Sequence, residues 1–93
     1  MADARKLAEI FKVLSVDARV RIVQLLKRRS LCVTEITSQL GITQAATSQH
    51  LRALRDAGLV KFQKQGFHVY YHLNKQNLAR LDKATGELLR LDD

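Results

Sequence analysis

The chain has 93 residues, of which 46% are hydrophobic and 27% charged, so we expect one small globular domain covering residues 1–93. It contains neither an apolar run of the roughly 18 residues that cross a bilayer nor a secretory signal peptide, and its single cysteine cannot form an intrachain disulfide. We therefore expect a cytoplasmic protein without a membrane partner, and a net charge of +7 favours a polyanionic partner such as nucleic acid.

Two amphipathic helices are predicted at the start of the chain. The first covers about residues 3–14, where apolar residues recur at i, i+3, i+4 and i+7, namely Leu7, Ile10, Phe11 and Leu14. Ser15 or Asp17 is expected to cap the second helix. The apolar stripe of this second helix consists of Ile22, Val23 and Leu26.

The third and fourth predicted helices form a pair. The third covers about residues 33–39, buries Ile36 and Leu40, and ends at Gly41, which can adopt positive φ. Thr43 reads as the N-cap of the fourth helix, which stops at Gly58. Two helices joined by such a short glycine-containing turn have the form of a helix-turn-helix. The inner face of the fourth helix is predicted to be Thr47, Leu51 and Leu54.

From residue 59 the apolar and polar residues alternate around Gln65-Gly66, which predicts a two-stranded β-hairpin. A fifth helix is predicted over about residues 75–91, with an apolar stripe of Leu78, Leu81, Leu88 and Leu91. A hairpin directly after the second helix of a helix-turn-helix is a wing. The predicted fold is therefore a mainly α (α+β) winged helix-turn-helix with five helices and a two-stranded wing.

The outer face of the fourth helix has the chemistry of a DNA-reading surface. Gln44 and Gln49 can contact adenine edges, and Ala45 is small enough to touch a thymine methyl group. A face that is merely solvated is usually rich in Glu–Lys pairs, whereas no acidic residue occurs between Thr43 and Arg55. We expect DNA contacts from Thr43, Gln44, Ala45, Ser48, Gln49, Arg52 and Arg55.

Four further residues are candidates for DNA contacts outside that face. Lys64, Gln65 and His68 lie near the tip of the wing, where contacts with the backbone or the minor groove position the protein without specifying the sequence. An ordinary soluble hairpin is the alternative for these residues. His50, on the fourth helix, is expected either to contact a phosphate or to pack.

Residues 7–73 resemble the ArsR/SmtB-type bacterial repressors. The stretches "LGITQAATSQHLRALRDAGLV" and "VYYHL" carry most of this resemblance. It implies a winged helix-turn-helix repressor that binds an inverted repeat as a homodimer through its first and last helices. The apolar stripes on the terminal helices agree, because they need a covering surface. The expected interface residues are Leu7, Ile10, Phe11, Leu14, Leu78, Leu81, Thr85 and Leu88.

The family's metal sites are incomplete in this chain. Family members that sense metals often have two cysteines around a valine in the third helix, where this chain has Cys32 and Thr34. His68 and His72 would lie about 13 Å apart on a straight strand, too far to share one metal ion. We therefore expect no metal and no cofactor. Cys32 is interpreted as a small buried hydrophobe, with oxidation of a single thiol as an open alternative.

These observations predict a sequence-specific DNA-binding transcriptional regulator, a homodimeric repressor without a metal inducer. One alternative is a winged helix used only to bind an acidic protein, and another is a repressor that responds to oxidation of Cys32. We expect no enzyme and no small-molecule substrate. The sequence offers no paired carboxylates, no nucleophile with a base and no phosphate-binding glycine loop.

Overall fold

The computed structural model describes residues 3–92 and confirms the predicted mainly α winged helix-turn-helix. These residues contain five helices and one antiparallel sheet. No helix within them is long and apolar enough to cross a membrane. In chain order the elements are α1 (Ala4–Leu14), α2 (Asp17–Leu26), β1 (Leu31–Cys32), α3 (Val33–Leu40), α4 (Gln44–Asp56), β2 (Val60–Gln65), β3 (His68–Leu73) and α5 (Lys75–Leu89).

The junction between α1 and α2 differs from the prediction. The Ser15 hydroxyl donates a hydrogen bond to the Lys12 carbonyl at 2.6 Å, so Ser15 closes α1 instead of opening α2. Val16 is the N-cap of α2 and offers no side-chain acceptor, and Asp17 is the first helical residue. The prediction that Ser15 or Asp17 caps α2 is therefore wrong. Ser15 is hydrogen-bonded to the end of α1, and Asp17 already lies inside α2.

The hydrophobic core lies where α2, α3 and α4 meet the base of the sheet. The apolar stripes of these three helices supply most of it, as their spacing predicts. The remaining buried residues come from β1, from the turn after α4 and from the start of β2. The buried hydrophobic residues are Ile22, Leu26, Leu31, Ile36, Leu40, Leu51, Leu54, Leu59 and Val60.

The sheet has three strands instead of the expected two. Leu31 and Cys32 form β1, which pairs antiparallel with β3 and gives the strand order β1-β3-β2. Leu31 is buried in the core, and its pairing with Tyr71 covers one edge of the wing at its base. A two-residue strand is too short to show an alternating pattern, so the sequence gives no sign of it.

Cys32 therefore belongs to β1 and caps α3, where it is half-buried. Its backbone N–H donates to Oε1 of Glu35 at 3.0 Å, which satisfies an N–H group at the start of α3. This hydrogen bond is the main reason why the pKa of Glu35 is lowered. Since the folded-state pKa is the lower one, the carboxylate stabilises the fold above its ordinary pKa. That contribution disappears as the pH falls through the lowered value.

The wing follows the predicted hairpin with a turn shifted by one residue. Val60 pairs with Leu73 at its base and Gln65 with His68 at its tip, so the turn is Gly66-Phe67 and not Gln65-Gly66. The positive φ of Gly66, 63°, fits the first position of a two-residue turn. Helix α5 ends at Leu89, two residues earlier than expected, because Arg90 has extended backbone angles.

Thr47 on α4 is the buried polar side chain among residues 3–92. Its hydroxyl accepts a hydrogen bond from Thr37 of α3 at 2.8 Å and donates one to the Thr43 carbonyl at 3.0 Å. The first of these hydrogen bonds joins α3 to α4, and the second returns to the N-cap of α4 itself. The buried Thr47 hydroxyl thus both accepts and donates a hydrogen bond. Rotation of α4 relative to α3 would leave this desolvated group without its partner on α3, so the hydroxyl favours one relative rotation of the two helices.

Thr47→Val should lower the free energy of unfolding by about 1–2 kcal/mol, because it keeps the side-chain shape but removes both hydrogen bonds. Urea unfolding at one fixed protein concentration measures the change. Thr34→Val, at an exposed site on α3, is the matched control and should change stability by less than about 0.5 kcal/mol. Equal midpoints for the two variants would show that the hydroxyl pair does not hold the helices together.

Candidate nucleic-acid interface

Helix α4 begins with a defined cap and buries one face. The Thr43 hydroxyl accepts a hydrogen bond from the Ala46 N–H at 3.1 Å, as the sequence predicted for an N-cap. Gly41, with φ of 68°, ends α3 and turns the chain toward this cap. The predicted inner face, formed by Thr47, Leu51 and Leu54, is fully buried.

Burial of that face leaves the predicted reading residues together on the other side of α4. All seven are exposed, and they form one continuous polar surface that we call the reading face: Thr43, Gln44, Ala45, Ser48, Gln49, Arg52 and Arg55. The two amides and the hydroxyl of Ser48 lie in the first half of the helix, and the two guanidinium groups lie in the second half. This arrangement places neutral donors and acceptors beside fixed positive charge, as base contacts flanked by phosphate contacts require.

His50 lies apart from the reading face. It is half-buried, and its Nδ1 accepts a hydrogen bond from Nε of Arg19 on α2 at 3.3 Å. The same guanidinium donates to the Val13 carbonyl at 3.2 Å. These contacts tie α4 to α2 and to the end of α1, so of the two predicted roles for His50 the structure favours packing.

Arg55 joins the reading face to the wing. Its guanidinium carbon lies 4.4 Å from the centre of the Phe62 ring on β2, which is a cation–π contact. Phe62 in turn packs beside Tyr71, with ring centres 5.9 Å apart. Phe62 did not figure in the sequence prediction, because a strand pattern does not show which helix a residue on that strand will meet.

The turn between α4 and the wing is held by α5. The Asn77 side chain donates to the Gly58 carbonyl at 2.9 Å, and the Asn74 N–H donates to the Leu59 carbonyl at 2.9 Å. Gly58 has φ of 77°, and a Cβ there would lie 2.9 Å from the Asn77 amide nitrogen. Glycine is therefore the residue that fits this position without strain or a clash.

The predicted wing residues occupy both faces of the tip. Lys64 shares a strand face with Val60 and Phe62, the face that turns toward α4, because side chains alternate along a strand. Gln65 and His68 pair with each other on the opposite face. All three are exposed, and so is Phe67 in the turn between them. The sequence prediction did not include Phe67. The one feature of the sequence that could have indicated it is an aromatic residue directly after the glycine of a two-residue turn.

The charge on this side of the molecule is not neutralised. No acidic residue lies between Asp56 and Asp82, a range that includes the whole wing. Within residues 3–92 the ion pair is that of Arg29 with Glu35, at 3.5 Å on the surface. The cations of α4 and β2 that face solvent without a carboxylate partner are Arg52, Arg55, Lys61 and Lys64.

The apolar residues of the terminal helices, α1 and α5, are only partly covered within the described chain. Neither α1 nor α5 has a fully buried residue. Six of the expected interface residues are half-buried, and Phe11 and Leu88 are exposed by 37% and 58%. A groove of about 410 Å³ lies along the two helices and includes Leu7, Ile10 and Leu81 in its lining. The six half-buried residues are Leu7, Ile10, Leu14, Leu78, Leu81 and Thr85.

The described part of the chain brings together no group of three His, Cys, Asp or Glu side chains that could hold a metal ion. Cys32 has Glu35 as its neighbour, through the hydrogen bond at the start of α3. His68 and His72 are four residues apart on β3, a strand that is paired on both sides.

Comparison with known proteins agrees with this geometry. Residues 17–61 match the family described as "Bacterial regulatory protein, arsR family". The chain is 32% identical over 91 residues to a transcriptional repressor SmtB homolog from Synechocystis sp., covering 98% of this chain and 69% of that protein. It is 37% identical over 75 residues to a cadmium resistance transcriptional regulatory protein CadC homolog from Staphylococcus aureus, covering 80% and 62%.

Among solved structures, reduced HlyU from Vibrio cholerae superposes with a TM-score of 0.76 at 30% identity, covering 95% of this chain and 93% of that one. The chain thus spans nearly all of one structural relative and about two thirds of the two sequence relatives. The acid-free reading face, the basic wing and these similarities lead to one conclusion. The chain belongs to the ArsR family and is a DNA-binding transcriptional regulator, not an enzyme.

Proposed function

We propose that residues 1–93 act as one DNA-binding domain that represses transcription as a homodimer on an inverted repeat. The observation that carries the proposal is the reading face of α4, which is polar, acid-free and held outward by a fully buried opposite face. Gln44, Ser48 and Gln49 would read base edges in the major groove, with Ala45 against a thymine methyl group. Thr43, Arg52 and Arg55 would contact phosphates beside them.

The wing would supply a second set of contacts. Lys64, Gln65 and His68 surround its tip, and we propose that they bind the backbone or the adjacent minor groove. The contact of Arg55 with Phe62 supports joint action of the two elements, since it couples the end of α4 to β2. His50 would then contribute indirectly, by fixing α4 against Arg19.

Homodimerisation is proposed through α1 and α5. Neither helix has a fully buried residue in the described part of the chain, and Leu88 and Phe11 are exposed on them. A two-fold dimer would present its two α4 helices about one turn of DNA apart, near 34 Å, and so reach successive major grooves. The symmetry of the protein would be matched by that of the operator.

We propose a cytoplasmic protein whose DNA binding does not depend on a metal inducer. The cadmium resistance in the name of one relative belongs to that protein. In this chain Thr34 stands where a second thiolate would be needed beside Cys32. Response of Cys32 to oxidation is the second form of the proposal, and its half-exposed position favours testing it. DNA binding assayed with metal ions, chelator and oxidant distinguishes the two forms.

Selection from a pool of randomised DNA duplexes tests the function itself. The purified chain should enrich an inverted repeat and bind it at least about 10³-fold more tightly than random duplex at physiological salt. Affinity for the selected duplex no greater than for random DNA would instead support a winged helix that docks an acidic protein.

Gln49→Ala should reduce the preference for the selected duplex by about 1–3 kcal/mol, because it removes two hydrogen bonds to one base. Competition between selected and random duplex measures that preference. Gln76→Ala, an exposed glutamine on α5, is the matched control and should leave it unchanged. If the preference survives in Gln49→Ala, this residue does not read the sequence.

Lys64→Ala should weaken binding to selected and random duplex alike and lower the slope of log affinity against log salt by about one. The reason is that one phosphate contact releases about one counterion. The control is Lys83→Ala on α5, also an exposed lysine. A slope that stays the same in Lys64→Ala would mean that this side of the wing does not touch the backbone.

Leu88→Glu should convert the dimer to monomer, since it places a charge in the proposed apolar interface. Sedimentation velocity at several concentrations measures the oligomeric state. Gln76→Glu introduces one negative charge at an exposed position of the same helix and should remain dimeric. A dimer that tolerates Leu88→Glu would place the interface elsewhere.

A further inference from the structure

Phe67 is the most exposed large hydrophobic residue among residues 3–92, with its whole side chain in solvent. It occupies the second position of the two-residue turn between β2 and β3. The turn itself requires Gly66, which supplies the positive φ of 63°, but it does not require an aromatic residue next to it. The fold therefore gives no reason for a phenylalanine at this place.

Phe62, the other exposed phenylalanine of the wing, differs from Phe67 because it has partners within the fold. Phe62 is also partly exposed, but it packs against Tyr71 and lies under the guanidinium of Arg55. Phe67 takes part in no aromatic pair and no cation–π contact in the described chain. An apolar ring at the end of a paired hairpin, without an aromatic or cation–π partner in the fold, is suited to an intermolecular contact.

The surroundings of Phe67 select the partner. Lys64, Gln65 and His68 are its exposed neighbours, and no carboxylate occurs on the wing. A positively charged tip without acidic residues is attracted to a polyanion. Strand β2 extends about 17 Å from Val60 to Gln65 at a rise of ~3.4 Å per residue. Half a turn of DNA is also about 17 Å, so the hairpin is long enough to span from the groove that α4 would enter to the next one.

We infer that Phe67 is an apolar DNA contact: its ring enters the minor groove beside the α4 site and packs against deoxyribose and base edges. Proteins that bind the minor groove often insert apolar side chains, phenylalanine among them, between its base steps. The inference rests on the proposed DNA-binding function of the wing and adds to it a residue that binds without charge. It gives the wing two separable parts, with Lys64 contacting phosphate and Phe67 contacting the groove.

The two parts differ in a measurable way. A phosphate contact contributes to the salt dependence of binding through counterion release, whereas burial of an apolar ring contributes affinity without releasing ions. Phe67→Ser should therefore weaken binding to the selected duplex about tenfold, as expected for an apolar ring that is partly buried on binding. The slope of log affinity against log salt should stay that of the wild-type chain.

Phe67→Leu is the conservative variant and should keep affinity within about threefold, because it retains most of the apolar surface. Urea midpoints of both variants should equal that of the wild-type chain, since the ring has no contact in the fold. Equal affinity of Phe67→Ser and the wild-type chain would overturn the inference, as would a loss that lowers the salt slope by one.

Phe67→Trp provides a direct signal, because the chain contains no tryptophan. Saturation with the selected duplex should quench the emission and protect the indole from acrylamide. Gln76→Trp on α5 is the control and should show neither change. An indole at position 67 that stays fully accessible to acrylamide in the complex would overturn the inference.

Failure of the inference and failure of the proposed function give different results. If the wild-type chain does not prefer a selected duplex, the proposed function fails before Phe67 is examined. If the wild-type chain binds the selected duplex and neither Phe67→Ser nor Phe67→Trp reports a contact, the proposed function stands and the role of Phe67 is refuted.

Discussion

The hydrogen bond between Thr37 and Thr47 is the constraint on which the reading face depends. Apolar contacts hold α3 and α4 together but are not directional, so they would tolerate a small rotation of α4 about its axis. A buried hydroxyl that accepts from Thr37 and donates to the Thr43 carbonyl has one satisfactory position. That position points the amides of Gln44 and Gln49 into solvent.

The same fixed orientation is passed on to the wing. Gly58 and Asn77 set the direction in which the chain leaves α4, and Arg55 stacks on Phe62 where β2 begins to extend. Strand β1 secures the other edge of β3. The reading helix and the hairpin are therefore joined by direct contacts, in addition to the chain that connects them.

The sequence predicts those parts of this structure that depend on local patterns. All five helices, the hairpin, the cap at Thr43 and the buried face of α4 follow from period, capping residues and glycine placement. Strand β1, the partner of His50 and the stacking of Arg55 on Phe62 could not be predicted. Each depends on which distant residues the fold brings together. The exposed residues of α4 could be predicted because the apolar spacing predicted its buried face, and the exposed residues lie on the opposite side of the helix.

Charge and chemistry have separate roles in the proposed interface. The unpaired cations of α4 and β2 attract any duplex, so they raise affinity for operator and random DNA by similar factors. Discrimination between sequences would be left to the uncharged groups on the reading face, and one copy of α4 offers only a few such groups. Two copies on a two-fold axis double the number of base contacts while the fold of each stays the same. Dimerisation through α1 and α5 would therefore raise specificity, and burial of the apolar residues that these helices leave partly uncovered would favour it.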